Sequence, residues 1–535
     1  MKASERQELT AKAAFGEKPG ATAEEAMAIT SHPLATRVAI EIMKDGGNAC
    51  DATLGAAATQ SVVQPHMTHI TGVLSLLYYD AAADEVTYMN GNMNAPLEPM
   101  PEFSEEDITT GRGVGVPGFW AGFESALERH GSMDKHRLMS PAIEFAEEGF
   151  EVHPFLFGVM FEMVEQIGKT EEGRETYMPD GNLPSPGEIF TNSKKADVLK
   201  RLRDEGNDYF YHGEFADEFV DVVQNHGGVI TNEDFEQYDV RWPEPAESTY
   251  KQYDLFASPP PDTGGTHVLE ALNMIEQLDL ESSGPPNEDA DLLYSMIRIH
   301  NEVLSEGRKQ RDPQSHHLPL ETLLSKEYAK TRLELLDMST PRDAPAMGYP
   351  GSCHVTMVDP QGNVATALHS CMAYPWTNGL LVNGINIPAS GTHFLRGEMP
   401  EPGHRPSTPL MPNMVFEDGQ PVLASGSPGS GLVANVFQNT LNILEFDMDI
   451  KESVHRPRFG GPQSDDPGSI WQGPNAIEGD LDDDLIEELR SRGVDMQVVD
   501  QWNWHCGSFE GIHITEDGRL HACGDPRRAA RAEGF

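Results

Sequence analysis

Residues 351–372 read GSCHVTMVDPQGNVATALHSCM, and the reading of this stretch decides the fold. Val355 to Val358 and Val364 to Leu368 supply β-branched and apolar residues, and Asp359-Pro360-Gln361-Gly362-Asn363 supplies turn chemistry, so a β-hairpin is predicted. Its first strand opens with Gly351-Ser352-Cys353-His354, a cluster of hydroxyl, thiol and imidazole for which a plain structural strand has no need. If Val358 and Val364 flank the turn, counting back along both strands sets Ser370 opposite Ser352; a turn tighter by one residue sets Cys371 there instead.

A nucleophile at the first residue of a strand suits one chemistry in particular. Cutting the chain just before it frees an α-amino group beside the side chain, and such an amine, with an ordinary pKa of about 7.7–8.0, can take the hydroxyl proton without a histidine.

Length and charge set the frame around the hairpin. By size alone 535 residues suggest about three or four domains, but no segment is linker-like, so one large unit is expected. The formal charge of −48 is spread along the chain rather than gathered in a tail, and Arg outnumbers Lys. Such self-repulsion keeps a protein dispersed in concentrated salt, whereas a surface built for a basic partner shows a focused acidic block; the spread favours a saline cytoplasm and argues against nucleic acid. Cys50, Cys353, Cys371, Cys506 and Cys523 are odd in number and scattered, which points to reduced thiols rather than a disulfide framework or zinc knuckle. The first twenty residues lack the apolar core of a secretion signal and no run is long enough to cross a bilayer, so a cytoplasmic protein with no membrane partner is expected.

Along the chain, residues 31–47 and 49–63 have helical spacing, the first with Ser31 as cap candidate, and Val73 to Asp80 with Glu85 to Met89 read as a strand pair. Gly111 to Gly118 is glycine-rich but lacks the Gly-Lys-Ser/Thr ending of a phosphate cradle. From Met139 to mid-chain the signal is mostly helical. Residues 340–351, TPRDAPAMGYPG, form a Pro/Gly-rich, exposed stretch where scission is easily accommodated. Gly379 to Ile387 is strand-like, and VLASGSPGSGLVAN (Val422 to Asn435) reads as a strand, a glycine turn and a helix start, whose outward N–H groups are candidate oxyanion donors.

Taken together, SHPLATRVAIEIMKDGGNACDA (Ser31 to Ala52), QPH (Gln64 to His66), GVGVPG (Gly113 to Gly118), PAIEFAEEGFEV (Pro141 to Val152), PPPDTGG (Pro259 to Gly265), SCHVTMVDPQGNV, HRP (His404 to Pro406), GSPGSG, ILEFDMDIKESVHRPRF (Ile443 to Phe459) and GDPRRAA (Gly524 to Ala530) resemble, in order and over nearly the whole chain, the γ-glutamyltranspeptidases. These are N-terminal-nucleophile hydrolases. The resemblance implies an α+β fold, a four-layer αββα sandwich, built from a precursor that cuts itself between Gly351 and Ser352 into a large-subunit region, 1–351, and a small-subunit region, 352–535, forming one αββα unit. Ser352 stands where the family has a threonine nucleophile, with Cys353 as rival if scission shifts by one. Ser370 matches the threonine that hydrogen-bonds the nucleophile, and Gly429 and Ser430 match two glycines whose N–H groups hold the oxyanion. No cofactor and no metal is implied, and the histidines lack ligand spacing.

Departures from the family pattern fall on its substrate grip. Asn92 stands where the family has a carboxylate-binding arginine and Pro388 near its amine-binding aspartate, and Thr408 and Pro409 replace its paired serines; Gln64 to His69 replaces a glycine-rich run. Losing a bidentate charge-assisted bond costs on the order of 2–3 kcal/mol, so the expected substrate is a small amide other than a free γ-glutamyl compound, with water or an amine as acceptor. The alternative is an unprocessed, inactive relative that binds rather than turns over.

Overall fold

The hairpin forms the middle of a six-stranded antiparallel sheet. The computed structural model describes residues 1–307, 310–336, 351–395, 398–462 and 474–535, so the exposed stretch expected over 340–350 lies outside the described residues. Numbered along the chain, the strands of the two large sheets are β1 (Gly20–Ala23), β2 (Met27–Thr30), β3 (Val73–Asp80), β4 (Glu85–Gly91), β5 (Ala246–Tyr250), β6 (Tyr253–Ala257), β7 (Ser352–Val358), β8 (Val364–Ser370), β9 (Asn413–Glu417), β10 (Gln420–Ser425), β11 (Ile512–Ile514), β12 (Leu520–Cys523) and β13 (Arg531–Gly534). The first sheet runs β13-β2-β7-β8-β3-β4, and the second, of seven strands, β1-β12-β11-β10-β9-β6-β5. Segments from before and after Ser352 both contribute strands to each sheet, so neither half of the chain completes a sheet alone.

Period-2 alternation sorts the side chains into layers. Met27, Ile29, Leu77, Tyr88 and Val364 meet Met414, Phe416, Ala424 and Ile512 in an apolar layer between the sheets. The far face of the first sheet, carrying Leu74, Leu76, Val355, Met357 and Ala367, packs against α1 (Pro33–Lys44), α2 (Ala49–Val63), α3 (Phe119–His130) and α4 (Lys135–Glu148). Leu255, Ala257, Val415 and Leu423 on the far face of the second pack against α5 (Thr263–Ile275), α6 (Ala290–Gly307) and α7 (Leu432–Leu444). Helices, sheet, sheet and helices follow in that order: this is an α+β, αββα sandwich.

Hairpin register is the first of the two counted above, with Val358 opposite Val364 and Ser352 opposite Ser370. Two local expectations need correction. α1 is capped by His32, whose Nδ1 accepts the Leu34 N–H at 3.2 Å, while Ser31 turns to the hairpin and accepts the His354 N–H at 3.1 Å. Gly379 to Ile387 is no single strand: Leu381–Val382 pairs with Ile385–Asn386 about Asn383-Gly384, whose positive φ values of 49° and 70° make the tight Asn-Gly turn. β5 and β6 lie in a span left unassigned above; β6 pairs with β9 and β5 with β6, and that pairing decides their conformation. Among the described residues no helix is long and apolar enough to cross a membrane.

Candidate active site

Ser352 begins β7 at the rim of the space between the sheets, 6% exposed. Its Oγ accepts the Gly429 N–H at 2.7 Å, and its carbonyl accepts Nη1 of Arg528 at 3.0 Å. Across the hairpin, Ser370 donates its hydroxyl to the carbonyl oxygen of Gly351, the residue just before the nucleophile candidate, and accepts the Met372 N–H at 2.8 Å. The pairing counted from the sequence therefore sets a hydroxyl on the carbonyl that a cut at 351/352 has to attack. Cys371 Sγ is the next nearest donor, at 3.6 Å.

The turn after β10 is shaped for its role. Gly429 has φ +95°, and a Cβ there would stand 2.3 Å from Arg528 Nη2, so glycine is required twice over. Gly431, at φ +64°, is the N-cap of α7. Ser430 between them lies outside the left-handed region, so its side chain meets no backbone penalty there, and it is buried. Of the two predicted oxyanion donors, Gly429 reaches Ser352 directly.

Cys353 projects from the other face of β7, into the helical layer, where its Sγ donates to Gln64 Oε1 at 3.2 Å. Burial pushes its thiol well above its ordinary value, the reverse of what a nucleophile needs. His354 shares the face of β7 that carries Ser352 but bonds to Thr366 at 2.8 Å, and burial pushes its imidazole down to about 3. It is neutral and engaged, so it is not the base.

Asn92 and Thr408 come together, but on a residue that sequence reasoning passed over. Asp262, inside PPPDTGG and wholly buried, accepts from Asn92 Nδ2 at 2.6 Å, Thr408 Oγ1 at 2.7 Å, Ser75 Oγ at 2.5 Å and the Tyr88 hydroxyl. Burial raises its carboxyl while these bonds and Arg405 pull the other way. The Asn92 amide is thus committed: Nδ2 also reaches Thr408 Oγ1 at 2.8 Å and Oδ1 accepts the Met93 N–H. Pro409 and Pro388 are buried, and the Pro409 carbonyl lies against Gly264.

Charge at the site comes instead from the chain's end. Asp525 accepts from Arg458 and from the N–H groups of Phe509 and Arg527, and Arg527 is paired with Glu478, which fixes the loop that delivers Arg528 to Ser352. Glu510 hydrogen-bonds Ser31 at 2.8 Å, and burial pushes its carboxyl up to about 8. The arginine doublet in GDPRRAA, in a chain this acidic, is the available signal; which of the two faces Ser352 is not legible from it.

A profile of the family described as Gamma-glutamyltranspeptidase matches residues 35–535. The "Glutathione hydrolase proenzyme" of Bacillus subtilis (strain 168) is 29% identical over 473 residues, 81% of this chain and 80% of that protein. The "Acylase ACY 1 proenzyme" of Pseudomonas sp. (strain SE83) is 28% identical over 475 residues, covering 83% of each. In three dimensions, a cephalosporin acylase from Bacillus halodurans superposes with a TM-score of 0.84 over 97% of both chains at 23% identity, a likeness of fold.

Proposed function

Because the chain belongs to the gamma-glutamyltranspeptidase family and is an amidohydrolase of the N-terminal-nucleophile type, we propose that it cuts itself between Gly351 and Ser352 and then hydrolyses or transfers the acyl group of a small amide. The observation that carries this reading is the pairing of Ser352 Oγ with the Gly429 N–H while Ser370 donates to the Gly351 carbonyl. In the cut, Ser352 Oγ attacks the Gly351 carbonyl carbon and the developing oxyanion is held by the Ser370 hydroxyl. The C–N bond breaks, the nitrogen leaves as an amine with the hydroxyl proton, and water hydrolyses the resulting ester.

Residues 1–351 and 352–535 are then two subunits of one sandwich. The freed amine of Ser352 takes the Oγ proton as the oxygen attacks an external amide. Arg528, bonded to the Ser352 carbonyl, disfavours a second positive charge beside it and so keeps the amine unprotonated nearer neutral pH. The oxyanion is bonded to the same carbon as Oγ, so a donor beside Oγ lies beside it too: Gly429 supplies one N–H and Ser430 the other. The leaving amine departs with the proton, and water or an amine resolves the acyl-enzyme.

Substrate choice follows from Asn92 and Thr408 being tied to Asp262, which favours an amide other than a free γ-glutamyl compound. The reading extends to the surroundings: a net charge of −48 suits concentrated salt, and five buried, unpaired cysteines suit a reducing cytoplasm. The test is intact mass after incubation in molar potassium chloride, with Ser352→Ala as control. Two fragments meeting at 351/352, absent from the control, are expected. A cut before Cys353 moves the chemistry to the thiol, and one uncut mass in both samples overturns self-processing.

A further inference from the structure

Helix α7 leaves the turn that carries Gly429 and is packed into the core through Val433, Val436, Phe437 and Leu441. Yet Asn435, Gln438, Asn439 and Asn442 repeat along it at helical spacing, and none is more than 7% exposed. Gln438 is used structurally, its amide pairing with both backbone groups of Phe459.

The asparagines continue instead into one chain of hydrogen bonds with Ser453, on α8 (Ile450–His455), and Ser427, in the turn. Asn442 Nδ2 donates to Ser453 Oγ at 3.2 Å and Ser453 Oγ to Asn439 Oδ1 at 2.7 Å. Asn439 Nδ2 donates to Asn435 Oδ1 at 2.7 Å, and Asn435 Nδ2 to Ser427 Oγ at 2.7 Å. Asn439 Nδ2 also donates to the Asn435 carbonyl at 2.9 Å, a bond only its nitrogen can make, and this fixes the direction of the chain. Ser427 Oγ accepts a second N–H, from Ser508 at 3.2 Å. Both its lone pairs are then taken, and its own proton goes to the Pro428 carbonyl, 3.3 Å away.

That carbonyl belongs to the peptide group whose nitrogen is that of Gly429. In a trans peptide C=O and N–H point to opposite sides of one plane, and the cis bond among the described residues is Pro260-Pro261. Ser427 therefore holds the plane on one side while its N–H meets Ser352 Oγ at 2.7 Å on the other. Donation to the carbonyl polarises the N–H, and bonds aligned head to tail strengthen one another by about 10–30% each. The backbone closes over the pair: Gly507 has φ +78°, and a Cβ there would stand 2.9 Å from both Ser427 Oγ and Asn435 Nδ2.

We infer that Ser427 and Asn435 are positioning residues, which hold and polarise the Pro428–Gly429 peptide so that its N–H meets the oxyanion of each acyl-transfer step. This rests on Ser352 being the nucleophile and Gly429 an oxyanion donor. Both side chains are fully buried and act through Gly429. The cut at 351/352 differs, because its oxyanion forms on the Gly351 carbonyl, beside Ser370. Comparing the two steps separates a role in turnover from damage to the fold.

The test uses Ser427→Ala, Ser427→Cys, which keeps the shape with a weaker donor, and Asn435→Leu, which keeps the bulk without the amide. Intact mass follows self-cleavage. Hydrolysis of p-nitrophenyl acetate, corrected with Ser352→Ala, gives kcat and KM. Boron-11 NMR follows binding of methylboronic acid, whose tetrahedral adduct on Oγ sets a B–O⁻ where the oxyanion forms. All three variants should cut themselves within a fewfold of the wild-type rate. In Ser427→Ala, kcat and boronate affinity should fall together by about 10- to 100-fold, short of the roughly 100- to 1,000-fold that removing a donor outright costs, with KM within about threefold. Ser427→Cys and Asn435→Leu should lose less, and they carry the same comparison if Ser427→Ala does not fold. Unchanged kcat and boronate affinity in folded variants, or a loss carried by KM alone, overturns the inference. So does a loss of self-cleavage in all three, which makes these side chains props of the fold; in each case Ser352 as nucleophile stands. A wild type that stays whole, or that neither hydrolyses the ester nor binds boronate, sinks the proposed function and this inference with it.

Discussion

Replacing Ser370 by alanine tests the proposed self-cleavage at 351/352 without any knowledge of the external substrate. Its hydroxyl is the close donor to the Gly351 carbonyl oxygen, and the next candidate, Cys371 Sγ, is a weak donor 3.6 Å away. As Ser352 Oγ attacks, negative charge gathers on that oxygen, so the variant loses stabilisation that is greatest in the transition state. One oxyanion donor is worth about 2.7–4 kcal/mol, or roughly a 100- to 1,000-fold slower cut. A separate effect runs on stability: the Met372 N–H, 2.8 Å from the Ser370 oxygen, is left buried and unpaired, at a cost of about 1–3 kcal/mol. The two are separated by following intact mass against time after cell-free synthesis in molar potassium chloride, well below the variant's Tm. Ser370→Thr keeps the hydroxyl and should cut at close to the wild-type rate. A folded Ser370→Ala protein that cuts as fast as wild type refutes the role given to this hydroxyl.

Gly429→Ala combines φ +95° with a Cβ 2.3 Å from Arg528 Nη2, about 1–3 kcal/mol of strain plus a displaced N–H; kcat on whichever small amide the wild type cleaves should drop at least about 100-fold, whereas Ser430→Gly should stay within a fewfold. Asp262→Asn turns an NH2 toward hydroxyl and amide donors, and chemical unfolding should show a loss of about 3 kcal/mol. Glu510 is raised to about 8 in the folded state, so the stability it contributes is complete below the ordinary carboxylate pKa and is lost as pH rises through about 8. Glu510→Gln has no such loss, and its stability relative to wild type should climb between pH 5 and 8, by on the order of 3–5 kcal/mol, then level off; parallel curves count against the shift. With a net charge of −48, Tm should rise steeply from dilute buffer to molar potassium chloride, and a flat response counts against salt adaptation.

What the sequence disclosed of this fold follows from how local each feature is. The β7–β8 register is countable because one turn of fixed chemistry sets it and one face is buried, so a slip by one residue would expose every core side chain. α2 runs from Ala49 to Val63 as read because Asn48 and Asp51 form a capping box within the segment itself. β1 and β2, by contrast, are four residues long and pair with partners hundreds of positions away, so nothing in their own composition announces them. The Asn383-Gly384 turn was available and was passed over in favour of the apolar run around it.

At the site the same distinction separates geometry from charge. Ser352, Ser370 and Gly429 meet because a hairpin and a strand–turn–helix unit, each locally encoded, sit on facing sheets. The meaning of a charge is not local: Asp262 reads as loop chemistry until Ser75, Tyr88, Asn92 and Thr408 converge on it and make it a keystone between the sheets. Arg527 and Arg528 are neighbours in sequence with opposite fates, one saturated by Glu478 and Asp525, the other turned to the Ser352 carbonyl with Nε and Nη2 unmet. Substitution at the family's grip therefore does not by itself argue for a dead enzyme. Asn92 is tied to Asp262 while Arg528 bonds the Ser352 carbonyl, so positive charge stands beside Ser352 although none stands at position 92, and the charge a site carries has to be read from the whole fold rather than from one aligned position.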